Sequence, residues 1–254
     1  MSKKGIMRPQ VSNPYHPFQM GIQSYSLRSF GFEEALKRTR QLGLEWVEAF
    51  PMHLPYFAPR EQWEAMKAMV SRTQTQIVAY GVVGFGSDEK TARSVFEFAK
   101  AMGIRVITAD PEPESFRYLG RLCEEFRIPI AIHNHGPNTR YDTIRMVESA
   151  MQGQPDWIGA CIDTGHYLRS GEDPVEAVRR FRNRVYAVHL KDVKARTQFT
   201  LLGQGDLDTV GFLRALKQVG FKHCLALEYE ENPKDPIPDI QACLEFVRST
   251  LRKV

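Results

Sequence analysis

The feature that most restricts the fold of this chain is a repeated alternation. Short runs rich in β-branched and aromatic residues are followed by longer stretches with apolar residues every three to four positions. That pattern builds βα units around a parallel sheet. The first unit pairs residues 20–26 (MGIQSYS) with 33–43, where Ala35, Leu36, Thr39 and Leu42 form one stripe ended by Gly43. Strands at 44–50, 75–83, 105–110, 128–135, 157–163, 184–190 and 223–230 follow. Their helical partners fall at 59–73, 88–103, 115–126, 139–151, 173–183, 209–220 and 239–250. Eight units in 254 residues leave about 32 residues for each, the size expected in a closed (β/α)8 TIM barrel. An open doubly wound sheet is the competing topology, but no G-x-G-x-x-G follows the first strand. The expected organisation is one α/β barrel domain over 19–254. It is preceded by an irregular leader, 1–18, which has three prolines and lacks the apolar core of a secretory signal.

Hydrophobic residues make up 43% and charged residues 25%, a balance that can bury a core and is not that of a disordered chain. The net charge is +4 and the basic residues are scattered, so nothing points to nucleic acid. No run approaches the ~18 apolar residues of a membrane span. Cys123, Cys161, Cys224 and Cys243 form no C-x-x-C pair and lie in apolar runs, which fits free thiols in a reducing, cytoplasmic setting. The expected partner is a small molecule, and self-association into a homo-oligomer stays open.

In a parallel barrel the carboxyl ends of all strands converge on one mouth, where polar residues need a reason. Four late strands end in such residues. IAIHNH supplies His133 and His135, ACIDTGH supplies Asp163 and His166, YAVHLKD supplies His189 and Lys191, and ALEYE supplies Glu228. The spacings among 133, 163, 189 and 228 are each about one βα unit, which places His133, Asp163, His189 and Glu228 at equivalent heights on neighbouring strands. Two imidazoles and two carboxylates suit a single divalent transition ion, Mn²⁺, Fe²⁺, Co²⁺ or Zn²⁺, better than Ca²⁺ or Mg²⁺. The bland alternative, four separately hydrogen-bonded rim groups, loses weight because all four share one register.

These strings also carry a resemblance. QSYS, EEALKRTRQLGLEWVEAF, IAIHNHG, the stretch from CIDTGH to VHLKD, LGQGDLD and LALEYE are similar to segments of the sugar phosphate isomerase/epimerase family of xylose-isomerase-like TIM barrels, over about 20–247. The resemblance implies a one-metal site with Asp163, His189 and Glu228 as ligands. Its epimerases carry a glutamate where this chain has His133, and use their two glutamates as paired acid and base. They also carry an arginine at the position of Ala195. The metal site transfers to this chain, whereas the two-glutamate epimerisation does not transfer directly.

A metal-dependent sugar or sugar phosphate isomerase or epimerase is the first expectation, since a Lewis acid can stabilise the enediolate formed when a proton leaves the carbon next to a carbonyl. Glu228 is the expected base and His166 the proton donor or shuttle. Lys191, His135, Glu48, Tyr25 and Arg28 are expected to contact the carbohydrate, with Phe30, Phe50, Tyr56, Phe57, Phe85 and Phe199 as apolar walls. The replacement by His133 supports an alternative: a metal-dependent lyase or dehydratase acting on a keto-sugar, an oxidised glycoside or a keto-inositol. A non-catalytic sugar-binding barrel and a three-zinc DNA-repair enzyme are further readings, the last disfavoured by too few ligands. Gly203 and Gly205 are expected to form a turn that feeds a helix capped by Asp208, not a phosphate cradle.

Overall fold

The computed structural model describes residues 13–254. Eight parallel strands close into a barrel: β1 (Gln19–Gln23), β2 (Trp46–Ala49), β3 (Gln76–Phe85), β4 (Val106–Pro111), β5 (Ile130–His133), β6 (Ile158–Asp163), β7 (Val185–Leu190) and β10 (Cys224–Leu227). Between β7 and β10 the chain adds an antiparallel ribbon, β8 (Asp192–Lys194) with β9 (Gln198–Thr200). Helices α1 (Phe32–Gln41), α2 (Trp63–Arg72), α3 (Glu89–Met102), α4 (Phe116–Phe126) and α5 (Ile144–Met151) follow the first five strands. Then come α6 (Thr164–Arg169), α7 (Pro174–Phe181), α8 (Thr209–Gln218) and α9 (Ile237–Leu251).

The helices form where their stripes meet the outer face of the barrel. Ala92, Val95, Phe96, Phe98 and Ala99 of α3 are buried, and Asp88 caps its start by accepting from the Lys90 N–H at 2.9 Å. Gly103 ends α3 at φ +75°, a left-handed value that glycine adopts without Cβ strain. Burial of one such phenylalanine contributes about 1.5–3 kcal/mol. Inside the barrel the residues are small. Ala131, Cys161, Ala187 and Ala226 sit two residues before His133, Asp163, His189 and Glu228, hence on the same inward face, and pack beneath that polar level.

Four local expectations change. The helix expected over 139–151 begins at Ile144, because Thr143 caps it by accepting from Met146 N–H, and 139–142 serve the loop before it. The six-residue α6 and the β8–β9 ribbon are additions, built on short polar sequence without apolar period. Strands β1 and β10 stop at Gln23 and Leu227, short of the expected 26 and 230. The leader expected over 1–18 lies outside the described residues as far as 12; in the remainder, Tyr15 and Phe18 are buried in the core, so packing begins ahead of β1. No helix among the described residues is long and apolar enough to cross a membrane.

Candidate metal centre

Neighbouring strands in a closed barrel are staggered, because tilted strands must shear to close. Asp163 and His189 are direct partners across β6 and β7, but His133 pairs with Cys161, and Ala226 rather than Glu228 pairs with His189. The four residues therefore climb a stair instead of standing at one height. Their side chains compensate: one donor atom from each of His133, Asp163, His189 and Glu228 lies within 4.8 Å of every other.

Local bonds fix this ring. Asp163 Oδ1 accepts from the His166 N–H at 2.8 Å and so caps α6, which turns Oδ2 inward. Asn134 clamps β5 to β6, donating to Asp163 O at 3.0 Å and accepting from Asp163 N at 2.8 Å. Thr164 Oγ1 donates to Lys191 O at 2.6 Å and accepts from Lys191 N at 3.0 Å, tying β6 to the end of β7. Below the ring, Glu48 Oε1 lies 2.9 Å from His189 Nε2 and accepts from Thr108 Oγ1 at 2.5 Å. The Glu48 carboxylate accepts a hydrogen bond from Nε2–H, so Nδ1 is the nitrogen that would bind a metal after giving up its proton. That nitrogen faces Glu228 Oε2 at 3.1 Å and His133 Nε2 at 3.0 Å.

The donor set fits a divalent ion. Asp163 Oδ2 and Glu228 Oε2 are buried without a well-aligned hydrogen-bond donor, and buried carboxylate oxygens of this kind call for positive charge beside them. Lys191 Nζ reaches them at 2.9 and 2.6 Å, an ion-pair approach, but its hydrogen bond goes to Glu230 Oε1 at 2.5 Å. Asp163, Glu228 and Glu230 thus place three carboxylates around one lysine. Burial pushes His133 and His166 down to about 4 and also lowers His135, so their imidazoles are neutral near pH 7. For His189, burial opposes protonation, but Cys161, Glu48 and Glu228 together outweigh it and raise its pKa well above the usual value. Burial likewise opposes charge on Asp163 and Glu228; cationic neighbours, Lys191 beside both, win and lower both carboxyls.

A cavity of about 260 Å³ opens above the ring, lined by His133, His135, His166, Lys191, Glu228, Tyr25 and Phe50 and also by Gln23, Gly81, Val82 and Glu230. It is smaller than the roughly 300–1,000 Å³ typical of pockets for drug-sized ligands. Two expected contacts sit elsewhere. Glu48 lies under His189 and does not line the cavity, because its carboxylate is taken by the imidazole and Thr108. Arg28 braces the rim, its guanidinium 4.5 Å from the centre of the Tyr25 ring and donating to Glu230 O at 2.5 Å. Of the expected aromatic walls, only Phe50 lines the cavity among the described residues, while Phe199 packs on His166 with ring centres 5.7 Å apart.

Sequence reasoning missed Gln23, Glu230, Thr108, Asn134 and Arg169. Glu230 was within reach, since it lies two residues beyond Glu228 and strand alternation puts the two on one face. Gly203 and Gly205 hold no external phosphate: with Leu207 their N–H groups donate to the Asp192 carboxylate at 2.9, 3.1 and 3.0 Å. Asp208 caps α8 as expected, accepting from Gly211 N–H.

A closed parallel barrel with a nitrogen and oxygen donor ring at its carboxyl end defines a class of barrel enzymes, and the comparisons give the family. Residues 36–250 match the xylose isomerase-like TIM barrel family, and the chain belongs to it. The inosose dehydratase of Clostridium tetani is 23% identical, with 77% of this chain and 71% of that protein covered. A crystal structure of the IolI protein with a bound zinc atom superposes with a TM-score of 0.75 at 17% identity, covering 93% of this chain and 99% of that one. L-ribulose 3-epimerase superposes at 0.72 with 16% identity, covering 92% and 95%. Dehydratases and epimerases thus both stand among the similar proteins.

Proposed function

We propose that this protein is a divalent-metal-dependent lyase that removes water, or another group β to a carbonyl, from a cyclic keto-polyol or keto-sugar. The observation that carries the reading is the one-sidedness of the cavity's bases. Epimerisation takes a proton from one face of a carbon and returns one to the other, so it needs bases on both faces. Here the carboxylates facing the cavity, Glu228 and Glu230, come from the segment just after β10. The imidazoles opposite are arranged as donors: Arg169 Nη1 lies 3.2 Å from His166 Nδ1, so that nitrogen accepts and the proton sits on Nε2. His133 turns Nε2 toward His189 and Asp163, so with that nitrogen given to the ion its proton is on Nδ1, which donates to His135 Nδ1 at 3.4 Å and leaves the His135 proton on Nε2. The kinship with an inosose dehydratase supports this over the isomerase or epimerase reading.

A divalent ion held by His133, Asp163, His189 and Glu228 supplies Lewis-acid polarisation of the carbonyl. Glu228, kept ionised by the positive charge next to it, takes the proton from the neighbouring carbon. The C–H electron pair becomes the new C=C bond as the β C–O bond breaks. Glu228 returns its proton to the departing oxygen on the same face, so the products are an enone and water. His135 and His166 hold substrate oxygens by donating, and Tyr25 and Phe50, ring centres 5.1 Å apart, form the apolar wall.

The test is incubation of metal-loaded protein with inososes, keto-sugars and ketoses in D₂O, followed by mass spectrometry and ultraviolet absorbance. Loss of one water with appearance of enone absorbance is the expected result. Deuterium entering a recovered sugar of unchanged composition would replace the lyase reading with isomerisation or epimerisation.

A further inference from the structure

We propose that Lys191 is a substrate contact gated by metal: its ammonium balances Asp163 and Glu228 in the ion-free protein and moves fully onto Glu230, inside the cavity, when a divalent ion enters. The inference rests on the metal reading above. Nζ lies 2.9 and 2.6 Å from Asp163 Oδ2 and Glu228 Oε2, which belong to the donor ring, so lysine and ion compete for the same two oxygens. A divalent ion bound by those two oxygens would repel the ammonium that faces them. The ammonium faces both ring oxygens as an ion pair and at the same time donates to Glu230 Oε1 at 2.5 Å. The second partner is therefore already engaged, and a turn about the last side-chain bonds completes the transfer.

The surroundings leave the lysine a path to Glu230. A Cβ at position 165 would come within 2.5 Å of Lys191 Cγ and 2.8 Å of Cδ, so the absence of a side chain at Gly165 makes the slot in which the stem lies. Phe199 stands 5.5 Å from Nζ and covers its outer side. Glu230 lines the cavity and its side chain is 24% exposed, so the destination is open to a substrate oxygen. Metal occupancy and polyol binding are then coupled through one side chain, which ion and substrate use in turn.

The experiment is calorimetric titration of Mn²⁺ into EDTA-treated full-length protein, comparing wild type with Lys191→Met, Glu230→Gln and the double variant. Loss of the competing cation should tighten Mn²⁺ binding in Lys191→Met by about tenfold or more. Glu230→Gln strands the lysine on the ring and should weaken binding by about tenfold. In the Lys191→Met background the Glu230→Gln effect should fall below about threefold, because Glu230 acts through the lysine and the two changes are not additive. Lys191→Gln, which keeps a polar end on Glu230, should tighten binding as the methionine does and guards against a packing effect. Equal Glu230 effects in both backgrounds, or no tightening in either Lys191 variant, overturn the inference while leaving the metal reading intact. Absence of Mn²⁺ binding by wild type would overturn both.

Discussion

Replacing Asp192 with asparagine isolates the contribution of one buried charge to the mouth of the barrel. Asp192 Oδ1 accepts from Val193 N–H and Leu207 N–H at 2.9 and 3.0 Å, and Oδ2 from Gly203 N–H and Gly205 N–H at 2.9 and 3.1 Å. Asparagine keeps the volume but turns one oxygen into an amide nitrogen, so two backbone donors face a third donor. Each partly buried donor left unpaired costs about 1–1.5 kcal/mol, near the low end of the usual range. Loss of charge from the remaining two bonds removes roughly 0.5 kcal/mol each, since charge-assisted bonds are about twice as strong as neutral ones. The total is about 3–4 kcal/mol, a large part of the roughly 5–15 kcal/mol that holds a domain folded. With a urea slope of about 3 kcal/mol/M, the unfolding midpoint should fall by roughly 1.2 M. Hydrogen exchange at the Gly203, Gly205 and Leu207 amides should accelerate in parallel. A midpoint shift under roughly 0.3 M with unchanged exchange at those amides would refute the account of how this loop is held.

Glu48→Ala should weaken Mn²⁺ binding by about 10–100-fold, the usual range for a partner behind a ligand, whereas Glu48→Gln, whose amide oxygen still accepts from His189, should retain most of the affinity; calorimetry distinguishes them. Gly165→Ala forces a methyl group against the Lys191 stem, and thermal melts should show a loss of about 1–3 kcal/mol typical of overpacking. Saturating Mn²⁺ at about 100 times its dissociation constant should stabilise wild type by about 2.7 kcal/mol, a rise in melting temperature of about 5–10 °C. The same addition should not move the melt of His189→Ala.

Much of the architecture was legible because it rests on periodicity. Each strand needs an inward and an outward face and each helix one stripe, so eight repeats and their order are written in residue spacing. The donor ring was legible for the same reason, as chemistry-bearing residues stood at successive strand ends. Their heights were not, because barrel shear depends on closure and appears in no local pattern: His133 pairs with Cys161 and not with Asp163. The placement of Glu48 also escaped, since a glutamate ending a strand reads the same whether it faces substrate or supports an imidazole. The supports Asn134, Thr164 and Arg169 act through bonds to backbone or ring nitrogens of other elements, and spacing carries no signal for them. The β8–β9 ribbon was hidden because three-residue strands of mixed polarity have no measurable alternation.

Asp163 divides its two oxygens between architecture and chemistry, one securing the first turn of α6 and the other pointing into the ring. A mutation there would disturb the scaffold and the proposed metal site together, so loss of metal binding by such a variant would report on neither alone. Glu228, whose carboxylate caps no helix, is the position at which the proposed metal site can be altered without loosening the start of α6.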